Sequence, residues 1–148
     1  MTNVSTDSTI NTALISLSRS FLQYVAESWP WVDASVRQVE QHVRDLATQQ
    51  RQDVAALVHV LTERDCHIDF GTYPTEYTDL HFISLSTLLE WLVNGQTQIV
   101  DRLRAAGETL KESGDGIASE LIEAIANRQT DVASQLKQLQ QELVDAPV

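Results

Sequence analysis

Between two long stretches of helical periodicity lies Arg64-Asp65-Cys66-His67-Ile68-Asp69-Phe70-Gly71-Thr72-Tyr73-Pro74-Thr75-Glu76-Tyr77-Thr78-Asp79-Leu80-His81, residues 64–81, in which apolar side chains follow no helical period. Asp69, Gly71 and Pro74 are turn formers, and Phe70, Tyr73 and Tyr77 add aromatic bulk, so the stretch reads as an ordered loop. Its length decides the fold. A connection of roughly 20 residues reaches at most about 65–70 Å, whereas flanking helices of roughly 22–30 residues are about 33–45 Å long. The loop can therefore carry the chain from one end of a helical bundle to the other.

Upstream, Ile10, Leu14, Leu17, Phe21, Val25 and Trp29 step by three or four, the spacing that aligns side chains on one helical face. A first helix is expected over about residues 8–29, capped by Asp7 or Ser8 and stopped by Pro30. Asp33 offers a second cap, and Val36, Val39, Val43, Leu46, Val54, Leu57 and Leu61 carry a second helix over about 33–63. Downstream, a third helix is expected over about 82–112, capped by Asp79 or Ser86, with Leu85, Leu88, Leu92, Ile99, Leu103 and Leu110 inward and Gly114 and Gly116 at its close. Ile117, Leu121, Ile125, Val132, Leu136, Leu139 and Leu143 mark a fourth over about 116–143, with Asp115 and Glu120 near its start as the helix dipole favours. The two remaining connections are short, so each flanking pair should fold as an antiparallel hairpin. Residues 1–148 then form a single all-α domain of two hairpins joined by one crossover.

At 148 residues the chain can bury roughly 70% of its unfolded surface without a disulfide or metal staple. Ten Lys and Arg against 21 Asp and Glu leave a formal charge of -11, which repels phosphate backbones and anionic lipid, so neither nucleic acid nor membrane is expected as a partner. No apolar run reaches the roughly 20 residues of a membrane span. Residues 1–9 carry no basic-then-apolar signal, which makes the cytoplasm the expected compartment. Cys66 is alone, so no internal disulfide is expected, and with His67 it falls short of a four-ligand zinc site. No Gly-rich phosphate loop, nucleophile elbow or paired-cysteine motif is present.

The apolar stripe breaks at mid-helix in three places. On the second helix Gln50 and Asp53 fall between Leu46 and Leu57; on the third, Gln96 falls between Leu92 and Ile99; on the fourth, Arg128 falls between Ile125 and Val132. Mid-helix positions share one level of an antiparallel bundle, so Gln50, Asp53, Gln96 and Arg128 are expected to meet in a polar layer, with Tyr24 or Glu27 nearby. Such a layer must be hydrogen-bonded or wet.

In this arrangement the chain resembles the ferritin-like four-helix bundles, the broad group containing rubrerythrin-type and other carboxylate-bridged di-iron proteins, over about residues 8–143. The resemblance implies an all-α, ferritin-like bundle whose long loop joins the second and third helices. In that group inward Glu residues and Glu-x-x-His motifs ligate two metals. Asp53-Val54-Ala55-Ala56 occupies the motif's place on the second helix, but Ala56 stands where the histidine would be. Glu120-Leu121-Ile122-Glu123 has the spacing but ends in a carboxylate, and Glu90 has no histidine at the needed distance. The pattern looks like the scaffold without an intact di-iron ligand set, so no cofactor is expected. Arg128 is then expected to bring the positive charge a metal would have supplied, pairing with Asp53 in this partly buried layer, with Gln50 and Gln96 satisfying the remaining donors and acceptors.

The loop residues Tyr73, Tyr77 and His81, with Phe82, Glu76 and Asp79 beside them, form either a small-molecule or partner site or an aromatic lid over the bundle. Trp29 and Trp31 flank Pro30, where they cap the bundle end or anchor a subunit contact. Three function classes remain. The residues favour a non-catalytic structural or protein-interaction bundle, with a homodimer or an unidentified protein as partner. The second class is an iron-handling protein or di-iron oxidoreductase that binds iron or another transition metal through some of Glu27, Glu40, His42, Asp53, Glu90, Glu120 and Glu123. The third is a small-ligand sensor using the aromatic loop.

Overall fold

A computed structural model describes residues 4–29, 36–78 and 84–145. Pro30, Trp31, Asp33, Asp79, His81 and Phe82, to which the sequence assigns caps, a helix stop and loop contacts, lie outside the described residues. The helices are α1 (Val4–Ser18), α2 (Phe21–Glu27), α3 (Arg37–Glu63), α4 (Leu85–Glu112) and α5 (Gly116–Asp145), with one turn of 3-10 helix at Thr75–Thr78.

The expected first helix is in fact two. It begins at Val4, so Asp7 lies inside its first turn instead of capping it, and the chain breaks at Arg19-Ser20. Ser20 leaves helical geometry at ψ 156° and its hydroxyl accepts from Gln23 N, which makes it the N-cap of α2. The cap of α4 is Ser84, which accepts from Thr87 N; Ser86, offered for that role, lies within the helix. Asp115 caps α5 through Ala118 N. The ends of α3 and α4 close alike. Asp65 (φ 55°) and Gly114 (φ 81°) turn left-handed, and the next amides, of Cys66 and Asp115, bond back to the carbonyls of Leu61 and Leu110.

Arg64, at the end of α3, bonds Asp7 at the start of α1 and Asp115 at the α4–α5 turn, so these points share one end of the bundle. The loop then runs back along α1 and α2. Asn11 holds Asp69, Arg19 holds the carbonyls of Phe70 and Gly71, and Tyr73 and Tyr77 pack on Tyr24 and Phe21. Consequently α3 and α4 run parallel, as a crossover requires. Gly71 is needed on this path: its φ is +70° and a Cβ there would sit 2.8 Å from Ile15 Cγ2.

The core is divided. One apolar cluster joins Phe21, Val25, Leu46, Leu89, Val132 and Leu136, with Trp29 packed half-buried against it. The other joins Leu14, Leu17, Leu57, Leu103, Ile122 and Ile125. Ile117, expected inward, is 77% exposed, and Ile122 is buried where Leu121 is only half-buried, so the start of α5 is turned from the face read in the sequence, while Ile125, Val132, Leu136 and Leu139 are buried as expected.

Candidate functional site

Between the two clusters every arm of the bundle contributes a buried polar side chain: Ser20 and Gln23, Gln50 and Asp53, Gln96, and Gln129. Gln50 is the hub and is fully buried. Its Oε1 accepts from Ser20 Oγ at 2.6 Å and Gln23 Nε2 at 2.9 Å, while its Nε2 donates to Gln96 Oε1 at 3.2 Å and Gln129 Oε1 at 3.0 Å. Gln96 Nε2 donates to Gln129 Oε1, and Gln129 Nε2 donates to Asp53 Oδ2 at 2.8 Å. Arg128 closes the chain, with both Nε and a terminal nitrogen 2.8 Å from Asp53 Oδ1. Low dielectric makes each of these bonds strong and each vacancy costly.

Gln50, Asp53 and Gln96 therefore come together, and Arg128 pairs with Asp53 as expected, but from outside the layer. Its side chain is 53% exposed and reaches Asp53 from the surface, beside a cavity of about 300 Å³ between α3 and α5. The inward residue of α5 is Gln129, which continues the stripe Ile122, Ile125, Ala126, Val132, Ala133, Leu136. Sequence reading also missed Ser20 and Gln23. Tyr24 and Glu27 do not join the layer: Tyr24 packs on the loop and Glu27 is exposed.

The donor set does not fit a di-iron centre. Transition metals of that kind take carboxylates and imidazoles, yet the layer holds one carboxylate, both of whose oxygens are engaged, with a guanidinium beside it. Among the described residues no three His, Cys, Asp or Glu side chains are grouped to hold a metal. Glu27, Glu90, Glu120 and Glu123 are exposed, Glu40 pairs with Arg44 at 2.8 Å, and His42 meets Gln135 at 2.9 Å.

At the loop, Tyr73 meets Tyr24 edge to face and Tyr77 meets it tilted, with ring centroids 5.2 and 5.7 Å apart, and Arg19 lies 4.9 Å over the Tyr73 ring. Burial, above all, pushes both phenols above their ordinary pKa. These tyrosines pack over α2; His81 lies outside the described residues. At the bundle end Arg64 grips Asp115 through two bonds of 2.7 and 3.0 Å. Those bonds hold the Asp115 carboxyl below its usual range, against the opposing effect of burial. Cys66 donates to Asp7, and that bond, aided by desolvation, raises its thiol pKa.

No family model matches the sequence and no curated protein matches it. The fold does have solved counterparts. A structure of Mycobacterium tuberculosis bacterioferritin, BfrA, aligns at TM-score 0.80 and 14% identity over 98% of this chain and 91% of its own. A crystal structure of BfrA from M. tuberculosis also aligns, at TM-score 0.78 and 14% identity, over 98% of this chain and 88% of its own. The chain thus has the all-α, ferritin-like four-helix fold, with α1 and α2 together as one arm. No helix among the described residues is long and apolar enough to cross a membrane.

Proposed function

We propose that the chain is a non-catalytic ferritin-like bundle, a structural or protein-interaction domain of the cytoplasm without a resident metal cofactor. The observation that carries this reading is the hydrogen-bonded chain from Ser20 through Gln50 and Gln129 to Asp53 and Arg128. A pair of divalent ions at that level would meet neutral amides already committed to one another and a carboxylate already neutralised by arginine. Displacing those bonds would leave buried donors unpaired, at roughly 1–3 kcal/mol each. The formal charge of -11 disfavours nucleic acid as a partner, which leaves another protein or a second copy of this chain.

An iron-handling role is the second reading, and the likeness to bacterioferritin favours it. Anaerobic titration with Fe(II), read by metal analysis after desalting, separates the two. The expected result is no saturable, stoichiometric uptake, in the parent or in Asp53→Asn. Retention of about two ions per chain, as a di-iron bundle requires, and its loss in Asp53→Asn would establish iron handling instead.

A further inference from the structure

A cavity of about 590 Å³ opens between the α1–α2 junction, the crossover loop and α4, within the size range of small-molecule sites. It is separate from the cavity beside Asp53, and of the amide layer only Ser20 reaches its wall. Gly95 forms part of its lining, in the interior of the 28-residue helix α4. Glycine weakens a helix interior relative to alanine. Here neither backbone nor packing requires it: φ is not positive, and a Cβ would meet only Phe21 Cβ, at an ordinary 3.9 Å. What the missing side chain preserves is the space beside it.

The walls are aromatic. Phe21 lies between Tyr77, at 5.0 Å, and Trp91, at 6.2 Å between ring centroids, and Trp91 remains 42% exposed. The charged groups of the lining are Arg19, Arg102 and Glu76, a cationic excess in a chain whose formal charge is -11. Arg102 enters none of the ion pairs among the described residues. Arg19 spends Nε on two loop carbonyls and bonds the Tyr73 side chain as well, and with five N–H groups it keeps further donors on its terminal nitrogens. Asn94 and Gln98 add amides to the same lining.

We propose that this cavity binds a small organic carboxylate with a flat aromatic body. The ring lies against Phe21, Tyr77 and Trp91 over the gap left by Gly95, and the carboxylate meets Arg102 and Arg19. Guanidinium and carboxylate match in charge and in planar, two-point geometry, and the aromatic walls supply apolar area. The site is independent of what the bundle centre holds.

The test is a titration with 2-naphthoate, followed by calorimetry, against 2-naphthamide of the same shape without the charge. The carboxylate is expected to bind saturably at one per chain and at least about tenfold more tightly than the amide. Arg102→Gln is expected to remove that preference. Gly95→Leu should abolish binding of both probes without lowering the melting temperature, and Gly95→Ala should raise the melting temperature while weakening binding, a combination that unfolding cannot produce. Absence of saturable naphthoate binding, equal affinity for the two probes, or full binding by Gly95→Leu would each overturn the proposal.

Discussion

Arg128 and Gln129 are adjacent in sequence, yet the guanidinium touches Asp53 from solvent while the amide of Gln129, 1% exposed, ties Asp53 to Gln50 and Gln96. Their substitutions should differ accordingly. Gln129→Leu strands Asp53 Oδ2 and takes one acceptor from the amide nitrogens of Gln50 and Gln96, which keep only longer bonds to Gln96 Oε1 and to the backbone carbonyl of residue 129, and is expected to cost about 3 kcal/mol. Arg128→Ala removes the half-exposed partner and opens one side of Asp53 to water, and should cost roughly 1 kcal/mol. Urea unfolding of the two variants checks the order, and a larger loss for Arg128→Ala would contradict the geometry. Gln50, Asp53 and Gln96 were legible in the sequence because each interrupts an unambiguous apolar stripe. Gln129 was not, because neighbouring helix positions lie about 100° apart and α5 carries leucine and isoleucine on both candidate faces, at Leu121 and Ile122. The small residues Ala126 and Ala133 were the available signal, since they pack where α5 is buried.

Among the elements, the long loop was readable in length and its path was not. Its route along α1 depends on side-chain bonds from Asn11, Ser18 and Arg19 to loop carbonyls, which no periodicity reveals. The α1–α2 break was hidden for a related reason: Leu14, Leu17, Phe21 and Val25 keep helical spacing across it, with no proline or glycine between them. Ser20 is satisfied there by capping α2 and donating to Gln50. Two glycines with positive φ separate conformational from steric cost. Gly114→Ala, with nothing within 4 Å of its new Cβ, should lose about 1 kcal/mol from backbone strain alone. Gly71→Ala adds the clash with Ile15 and should lose about 2–3 kcal/mol. Denaturant midpoints would measure both, and equal losses would mean that the loop yields freely.

For the molecule as a whole, the parallel course of α3 and α4 leaves the start of α1, the end of α3 and the α4–α5 turn to be fastened together, and Arg64 does this through Asp7 and Asp115. Because Arg64 lowers the pKa of Asp115 in the folded state, that carboxylate stabilises the fold above its unfolded pKa of about 3.9, and the contribution disappears as pH falls through the lower folded value. Asp115→Asn keeps a competent helix cap but loses the charge. Its deficit in urea midpoint relative to the parent is therefore expected to be constant above about pH 5 and to shrink below about pH 4; a deficit unchanged at pH 2 would assign the effect to the cap alone. The polar level between the two apolar clusters sets a further condition on motion. A helix lined only with leucine can ratchet one turn along its neighbours and find equivalent holes. Here a slip of about 5.4 Å would drive a glutamine into hydrocarbon and set leucine against stranded amides, so each arm is keyed to a single axial position. The polar level thus opposes sliding of one arm along another.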